Sequence, residues 1–385
     1  MASGGNEPFL PFEIIINILK RLPVKSIVRF RCVCKDWKNL FKTPSFITEH
    51  LRHSDHDNPL LLLHEYNCYR GHTSLGLLNH KMETIEVLSI PSIDGFRYNW
   101  SIIGSCNGLL CVTINLYRNG FPRSLCLWNP MIREVREIPQ TTNDYWGFCR
   151  FGFGFCSILN DYKIVKFYNQ ELRKKKEIDQ DYDVAKQGHD GVEMYSLSTD
   201  SWKELGFGAL QNIEVTFTTA STDGMMVWVG ERDSFPVLVS FDMVTEVFTI
   251  TPILSVDGGL PTNLGAYQGK FAIFFRSYGY NSTDIMVMEQ VASESGRSLS
   301  CTEEYSIDTF SHAPDPVCIW GNEVVFLGIE SETDESEGIP GYFLNLFNLT
   351  TKKWKEFRNF SSNHDCSAGF TYERSLVSVW NTQVE

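Results

Sequence analysis

The chain has 385 residues, of which 43% are hydrophobic and 21% charged, a composition typical of a globular protein with more than one domain. Its net charge of −13 at pH 7 argues against broad electrostatic binding to nucleic acid or to an anionic membrane surface. The sequence contains neither the roughly 18 consecutive apolar residues of a membrane-spanning helix nor, at its start, the pattern of a secretory signal.

The N-terminal residues 9–46 begin with the spacing of an amphipathic helix. Pro11 suits its first turn, where the missing N–H is not needed, and Pro23 ends it. One face of this helix is apolar because hydrophobic side chains recur every three or four positions. The residues of that face are Phe12, Ile15, Ile16 and Leu19.

Two further short helices are predicted, which gives a three-helix module. The second runs from about Lys25 through Cys32, with Ser26 available as its cap, and the third lies around Trp37 and is stopped by Pro44. So small a bundle cannot bury all of its apolar residues, and the excess predicts an exposed patch that binds a partner. The excess residues are Ile14, Ile18, Val24 and Val28.

Five short motifs in this module resemble the F-box family in its plant form. They are Leu10-Pro11, Ile18-Leu19, Leu22-Pro23-Val24-Lys25-Ser26, Arg29-Phe30-Arg31-Cys32-Val33 and Cys34-Lys35-x-Trp37. The sequence departs from the family pattern at Cys34, where serine is usual, and both side chains are small.

The resemblance implies a protein partner for the module. In the F-box family it binds a Skp-type adaptor, which links it to the cullin and RING subunits of a ubiquitin ligase. The adaptor contacts are then expected at Leu10, Pro11, Ile18, Leu19, Leu22, Pro23, Val24, Ile27 and Trp37. The alternative is a helical cap that packs only on its own β-domain.

From about residue 58 onward the sequence has the pattern of a large all-β domain, with short β-rich runs between Gly, Asn, Asp and Pro. About six weakly similar units recur roughly every 45 to 70 residues, which favours a roughly six-bladed β-propeller. A two-sheet β-sandwich is the alternative. The run Ser375 to Trp380 is expected to pair with the first blade and close the ring, since closure removes exposed sheet edges.

Motifs in this β-rich region resemble the F-box-associated domain of plant F-box proteins, which is sometimes called kelch-like. They include Gly104-Ser105-Cys106-Asn107-Gly108-Leu109-Leu110, Leu127-Trp128-Asn129-Pro130, Phe151-Gly152-Phe153-Gly154 and Asp161-Tyr162-Lys163-Ile164-Val165. The group includes the pollen S-locus F-box proteins, which the chain resembles over most of its length. True kelch repeats carry a Gly-Gly doublet in each blade, and in the β-rich region Gly258-Gly259 is the only such pair.

The two resemblances divide the chain into an F-box at residues 5–52, a linker at 53–59 and a substrate-binding β-domain at 60–385. They imply the substrate-recognition subunit of an SCF-type cullin–RING ubiquitin ligase, with recognition of an S-ribonuclease in pollen as one form of that role. Ubiquitin transfer then belongs to other subunits, so we expect no catalysis, cofactor or metal in this chain. A scaffold outside any ligase and a propeller enzyme are the rival functions.

Two short patterns were weighed as chemical sites. The cluster His50, His53 and His56 lacks the spacing of a metal site such as HExxH and is expected at the solvated end of a helix. The run Phe151 to Phe155 lacks the third glycine and the following helix of a nucleotide-binding loop. Packed aromatic side chains in a strand with close backbone approach explain it better.

The cysteines and the charged stretches are expected to be structural. The eleven cysteines contain no C-x-x-C pair, so we expect reduced, mostly buried thiols, with Cys32 and Cys34 in the core of the helical module and the protein in the cytoplasm or nucleus. The charged stretches at residues 171–186 and 330–337 are expected to be solvated loops between strands.

Overall fold

The computed structural model describes residues 10–53, 59–67, 72–88, 99–115, 122–141, 149–169, 189–253, 259–276, 282–293, 296–309, 315–329, 342–362 and 365–380. This part of the chain has four short helices followed by strands. The helices are α1 (Phe12–Leu19), α2 (Val24–Phe30), α3 (Lys35–Leu40) and α4 (Pro44–His53). Among the helices of these ranges, none is long and apolar enough to cross a membrane.

Four helices form where three were predicted, because Pro44 begins a helix as well as ending one. Proline is well suited to a first turn, and Thr43 caps that turn by accepting the Phe46 amide N–H on its Oγ1 at 3.3 Å. The prediction of Ser26 as a cap is wrong. Helix α2 begins at Val24, one residue earlier than expected, with Pro23 in the cap position and no side-chain hydrogen bond there.

The remaining described residues form six four-stranded antiparallel sheets, or blades. Blade 1 combines β1 (Leu60–Asn67), β2 (His72–Leu78) and β3 (Thr84–Leu88) with β24 (Asp365–Tyr372). Blade 2 is β4 (Asn99–Cys106), β5 (Leu109–Asn115), β6 (Pro122–Asn129) and β7 (Glu134–Glu137). Blade 3 is β8 (Arg150–Cys156), β9 (Asp161–Tyr168), β10 (Gly191–Ser196) and β11 (Ser201–Glu204).

The second half of the ring repeats this plan. Blade 4 is β12 (Glu214–Thr222), β13 (Met225–Arg232), β14 (Phe235–Asp242) and β15 (Val247–Pro252). Blade 5 is β16 (Leu260–Tyr267), β17 (Lys270–Arg276), β18 (Ser282–Ser293) and β19 (Gly296–Asp308). Blade 6 is β20 (Asp315–Trp320), β21 (Glu323–Ile329), β22 (Tyr342–Asn348) and β23 (Lys353–Ser362).

The ring closes through β24, which pairs Thr371 with Leu61 of β1. The innermost strands β24, β4, β8, β12, β16 and β20 contact one another in that order around the centre. The predicted six-bladed propeller is therefore confirmed, and the β-sandwich is wrong because no two sheets enclose the core. The predicted closing strand is also wrong: residues 375–380 form no strand, because β24 already occupies the free edge of β1.

Apolar side chains buried between neighbouring blades hold the ring together. Trp228 of β13 is fully buried, and its indole N–H donates to the Phe151 carbonyl of blade 3 at 3.0 Å. Gly152 lies directly against this ring, since an added Cβ would come within 2.2 Å of the Trp228 Cζ2 atom. The Phe151 to Phe155 run is thus a strand in which glycine permits close approach, as predicted.

The antiparallel order sorts the connections onto two faces of the propeller. Turns between the first and second strands of a blade, and between the third and fourth, lie on one face. We call it the near face, because α4 leads into β1 there and the chain leaves β24 there. Two described connections, the turn between β13 and β14 and the segment between β11 and β12, lie on the opposite or far face.

Candidate functional site

An exposed apolar patch lies on α1 and just before it. We define the α1 patch as Leu10, Phe12, Ile14 and Ile18, whose exposed fractions lie between 41% and 49%. Ile14 and Ile18 are four residues apart and share one side of the helix, whereas Leu19 is buried on the side that faces the module. Exposed apolar side chains grouped in this way, with two on one side of a helix and two at its start, are typical of a partner surface.

The nine residues expected to contact an adaptor fall into three classes of exposure. Leu10, Pro11, Ile18 and Pro23 are exposed, and Leu22 and Trp37 are half-buried. Leu19, Val24 and Ile27 are buried in the core of the helical module. These last three are almost fully buried, and the adaptor contact of all nine residues stays a prediction.

The predicted apolar excess differs in part from the observed one. Ile14 and Ile18 are exposed as expected, but Val24 is buried and Val28 is half-buried. Phe12, expected on the inner face, is exposed instead. A side chain in a helix leans toward the helix N-terminus and packs over the turn before it. Phe12 is the first residue of α1, so its side chain leans past the start of the helix and has no earlier turn to pack on.

A chain of aromatic rings links the helices of the module. Phe30 lies 5.7 Å from Trp37 between ring centroids, Trp37 lies 6.2 Å from Phe41, and Phe41 lies 5.2 Å from Phe46. The chain ends at His50, stacked 6.1 Å from Phe46. These contacts run from α2 to α4 and hold these three helices together.

His50 holds α4 against the connection between α1 and α2. It is buried, and its Nε2 donates to the Leu22 carbonyl at 2.9 Å. Burial lowers the pKa of His50, so the neutral ring is the form that packs here. The predicted solvated position is therefore wrong for His50 but correct for His53, while His56 lies outside the described residues.

In the part of the chain that the structure describes, no group of three or more potential metal ligands occurs. The expected absence of a metal site stays a prediction. Cys32 and Cys34 are exposed, so the prediction of core thiols is wrong for both. They lie in the connection before α3, where the Cys34 Sγ accepts the Trp37 amide N–H at 3.4 Å and caps the helix.

The helical module packs onto the propeller. Its buried residues belong to one continuous hydrophobic cluster with those of blades 2 and 3, including Leu376 and Val377 after β24. At the edge of blade 1, the Lys25 Nζ lies 2.8 Å from the Glu86 Oε2, and the Arg374 Nη2 approaches the same oxygen at 3.6 Å. The module is therefore both a cap on the β-domain and the bearer of an exposed patch.

Two elements of the chain itself lie on the near face. Besides the helical module, β18 and β19 extend past the start of β17 as a two-stranded arm. This arm leans on blade 4, where the Gln290 Nε2 donates to the Thr222 Oγ1 at 2.8 Å and Leu299 is buried against its neighbours. On the far face, the turn of blade 4 leaves Phe235 72% exposed.

Buried polar groups in blade 3 form a structural pair. The Lys166 Nζ lies 3.0 Å from the Glu193 Oε1, and both side chains are almost fully buried. Burial raises the pKa of the nearby Cys149 thiol to about 12, which keeps it in the unreactive protonated form at neutral pH. The charged stretches at residues 171–186 and 330–337 lie outside the described residues.

The sequence interpretation missed most of α4, including the buried Phe46, Ile47 and His50. A signal for it was present, since these residues follow Pro44 at positions one and four apart, the spacing of a helical face. No comparable signal identifies residues 373–380 as part of the core, because an irregular segment has no periodicity.

Comparisons with known proteins agree with this architecture. Residues 9–49 match the family model described as F-box domain, and residues 60–303, well over half of the chain, match the one described as F-box associated beta propeller domain. F-box protein At3g08750 of Arabidopsis thaliana is 29% identical, over 68% of this chain and 64% of its own length. F-box protein At3g07870 of the same plant is 29% identical, over 83% and 79%.

A third relative is F-box/WD-40 repeat-containing protein 1 of Arabidopsis thaliana, 26% identical over 80% of this chain and 71% of its own length. The chain thus spans just under two thirds of the first of these relatives and more of the other two.

Proposed function

Because this chain belongs to the plant F-box proteins that carry an F-box-associated β-propeller domain, we propose that it is the substrate-recognition subunit of an SCF-type cullin–RING ubiquitin ligase. The observation that carries the proposal is the α1 patch, an apolar surface left open on a module whose other side is packed on the propeller. A Skp-type adaptor bound there would connect the chain to cullin and RING subunits.

The chain would act by position and carry out no chemistry of its own. Binding of a target to the propeller and of an adaptor to the module holds target lysines near the charged ubiquitin-conjugating enzyme at a high effective concentration. A non-catalytic role agrees with the protonated state of the buried Cys149 thiol and with the pairing of Lys166 by Glu193.

We propose that the target binds the far face of the propeller. The near face carries the helical module and the arm of blade 5, so a large partner has less room there. Among the described residues of the far face, Phe235 is the most exposed large apolar side chain, and exposed aromatic residues commonly anchor protein interfaces.

The adaptor half of the proposal is tested by charge in the α1 patch. Ile14→Asp with Ile18→Asp places two carboxylates on one side of α1 without touching the module core. We expect adaptor affinity, measured by calorimetry with purified adaptor, to fall by about 100-fold or more, because an apolar interface would have to desolvate both charges.

The matched control changes two exposed apolar residues of blade 4, Phe235→Asp with Val247→Asp, which lie outside the module. This variant should bind the adaptor as the unmodified chain does. Unchanged adaptor binding by the Ile14 and Ile18 variant, in a protein with a normal unfolding temperature, would show that the adaptor does not use the α1 patch.

The target half is tested by affinity capture with the full-length Ile14→Asp, Ile18→Asp variant as bait. This variant should bind a target without bringing it to a ligase, because it does not bind the adaptor. Proteins captured by this variant and lost in Phe235→Asp are candidate far-face targets. Each candidate is then tested for ubiquitylation in a ligase reconstituted with the unmodified chain. Candidates that are captured but never ubiquitylated would favour the rival function, a scaffold outside any ligase.

We propose one target class on the S-locus resemblance alone, namely a secreted-type ribonuclease met in pollen. The net charge of −13 favours a basic partner, and such an association should weaken as salt is added. Direct binding to purified pollen-encountered ribonucleases tests this, and expression confined to tissues other than pollen would contradict it. We also propose the cytoplasm or nucleus as the site of action, which imaging of a tagged chain tests.

A further inference from the structure

The segment after the ring-closing strand is unusually well anchored for a chain that forms no strand. We call residues 373–380 the C-terminal strap. Ser375, Leu376, Val377 and Val379 are each at most 5% exposed. A Cβ on Gly108, which has a φ of +75°, would lie only 2.6 Å from the Glu373 carbonyl oxygen, so the strap passes in direct contact with the first turn of blade 2.

Asn129 is the central anchor of the strap. Its Nδ2 donates to the carbonyl oxygens of Ser375 at 3.2 Å and Val377 at 2.7 Å, in a fully buried position. Its Oδ1 accepts the Met131 amide N–H at 3.0 Å, which shapes the turn between β6 and β7. The Asn129 side chain therefore stabilises a turn of blade 2 through its oxygen and binds the strap through its nitrogen.

The outer strand of blade 2 binds the C-terminal end of the strap. The Glu134 Oε2 accepts the Val379 amide N–H at 3.2 Å, and the Arg136 Nη1 donates to the Val379 carbonyl at 3.2 Å. The same guanidinium lies over the Trp380 ring at 5.3 Å and pairs with Asp200 of blade 3 at 2.5 Å. The strap is thereby tied to two neighbouring blades.

The N-terminal end of the strap and the helical module both form an ion pair with the same carboxylate. Glu86 of blade 1 lies between Arg374 of the strap and Lys25 of α2. The buried strap residues also belong to the same hydrophobic cluster as Leu19 and Phe46 of the module. The strap thus contributes to the layer on which the module rests, and it lies outside both matched family regions.

We infer that the C-terminal strap fixes the orientation of the helical module on the propeller and has no part in closing the ring. The ring is complete at Tyr372, where β24 ends, so the anchors on the next eight residues serve something else. Resting on the proposed function, a fixed orientation would set the distance between a far-face target and the adaptor. Residues such as Asn129 are then positioning residues for a reaction that occurs elsewhere.

Comparable turns in other blades supply a matched control. Asn348 in blade 6 and Asp242 in blade 4 occupy the equivalent turn, and their Oδ1 atoms also accept backbone N–H groups. Aspartate is therefore compatible with this turn. Asn129→Asp keeps the turn acceptor and removes the donors to the strap. Asn348→Asp also keeps the turn acceptor, but the donor it removes is the one to the Glu323 Oε1 at 3.5 Å, so it alters the turn without touching the strap.

The experiment measures hydrogen–deuterium exchange over the full chain. For Asn129→Asp, we expect amides of α1 to α4 to exchange about tenfold or more faster, while blades 4 to 6 keep their protection. Asn348→Asp should leave the helices unchanged. A chain that stops after Tyr372 should reproduce the Asn129→Asp pattern, and one that stops after Trp380 should behave as the unmodified chain.

Two outcomes would overturn the inference. Unchanged exchange in α1 to α4 of the chain ending at Tyr372 would show that the strap does not hold the module. Faster exchange concentrated in β1 and β24 would show that the strap stabilises ring closure instead. Neither readout needs an adaptor, so a failure of the proposed ligase function, seen as absent adaptor binding by the unmodified chain, remains a separate result.

Discussion

The helical module and the propeller differ in how far they bury their large apolar side chains. In the propeller, large side chains such as Trp228, Phe271 and Phe326 are fully buried between blades. In the module, Phe12 and Ile14 of α1 remain almost half exposed. By closing on itself the propeller buries most of its large apolar side chains and leaves single ones such as Phe235 exposed, whereas the small module leaves several exposed within and just before one helix.

The difference separates stability from binding. Substitutions in the propeller core should change the free energy of unfolding, and substitutions in the α1 patch should change affinity for a partner with little effect on folding. Because both kinds of apolar residue occur in this chain, the distinction can be tested in a single molecule.

The largest effect should come from the blade 3 and blade 4 interface. Trp228→Ala removes a fully buried ring and its hydrogen bond to the Phe151 carbonyl. We expect the free energy of unfolding to fall by about 3–5 kcal/mol, as for other large-to-small changes in a core. Urea titration followed by fluorescence and circular dichroism measures it.

Ile14→Ala is the counterpart in the module and should change the free energy of unfolding by no more than about 0.5 kcal/mol, since the side chain is already half exposed. A loss as large as that of Trp228→Ala would mean that the α1 patch belongs to the fold and is not a free surface.

Acid should weaken the propeller through His64, the next largest effect. Burial lowers the pKa of His64 to about 4, although its ring nitrogen bonds the Trp100 carbonyl. The unfolded chain takes up this proton near pH 6.5 and the folded chain only near pH 4. The stabilisation is therefore complete above pH 6.5 and lost as the pH falls toward 4, by about 3 kcal/mol in total.

Denaturant titrations from pH 7 to pH 4 test this with His64→Gln, which cannot titrate. The free energy of unfolding of this variant should depend less steeply on pH in that window than that of the unmodified chain. His50→Gln is the comparison from the module, where burial also lowers the pKa of the histidine. Parallel pH profiles for His64→Gln and the unmodified chain would contradict the prediction.

A smaller effect than that of His64 should come from the cap of α3. Cys34→Ala removes the sulfur that accepts the Trp37 amide N–H and should cost about 0.5–1 kcal/mol, confined to the module. Cys34→Ser should instead stabilise the module slightly, because an oxygen accepts more strongly than sulfur. Thermal unfolding of the three proteins gives the order, and a destabilising serine would show that the thiol packs rather than caps.

Periodic segments were predictable from the sequence, and segments defined by tertiary contacts were not. The α1 spacing and the alternation in β8 arise from local geometry, which one segment displays by itself. Burial of Val24 depends on how the helices of the module pack together, and the position of the C-terminal strap depends on Asn129, far away in the sequence. Such long-range contacts leave no local pattern.

For the candidate site, the docking role of the module was easier to predict from the sequence than the exposure of each residue. The motifs identified the helical module as a docking element, yet nothing in them distinguishes the exposed Ile18 from the buried Ile27. Both are isoleucines at helical spacing, and the difference arises from which side of each helix meets its neighbours. Only the packed arrangement determines that.

The joining of β1 to β24 has a consequence for how the protein is made. Leu61 emerges from the ribosome early, but its partner Thr371 is synthesised only near the end of the described chain. Blade 1 therefore waits with an unpaired edge while five later blades are produced, a state of high contact order that is slow to resolve and prone to mispairing. The helical module, which emerges first, has all of its local contacts available long before that.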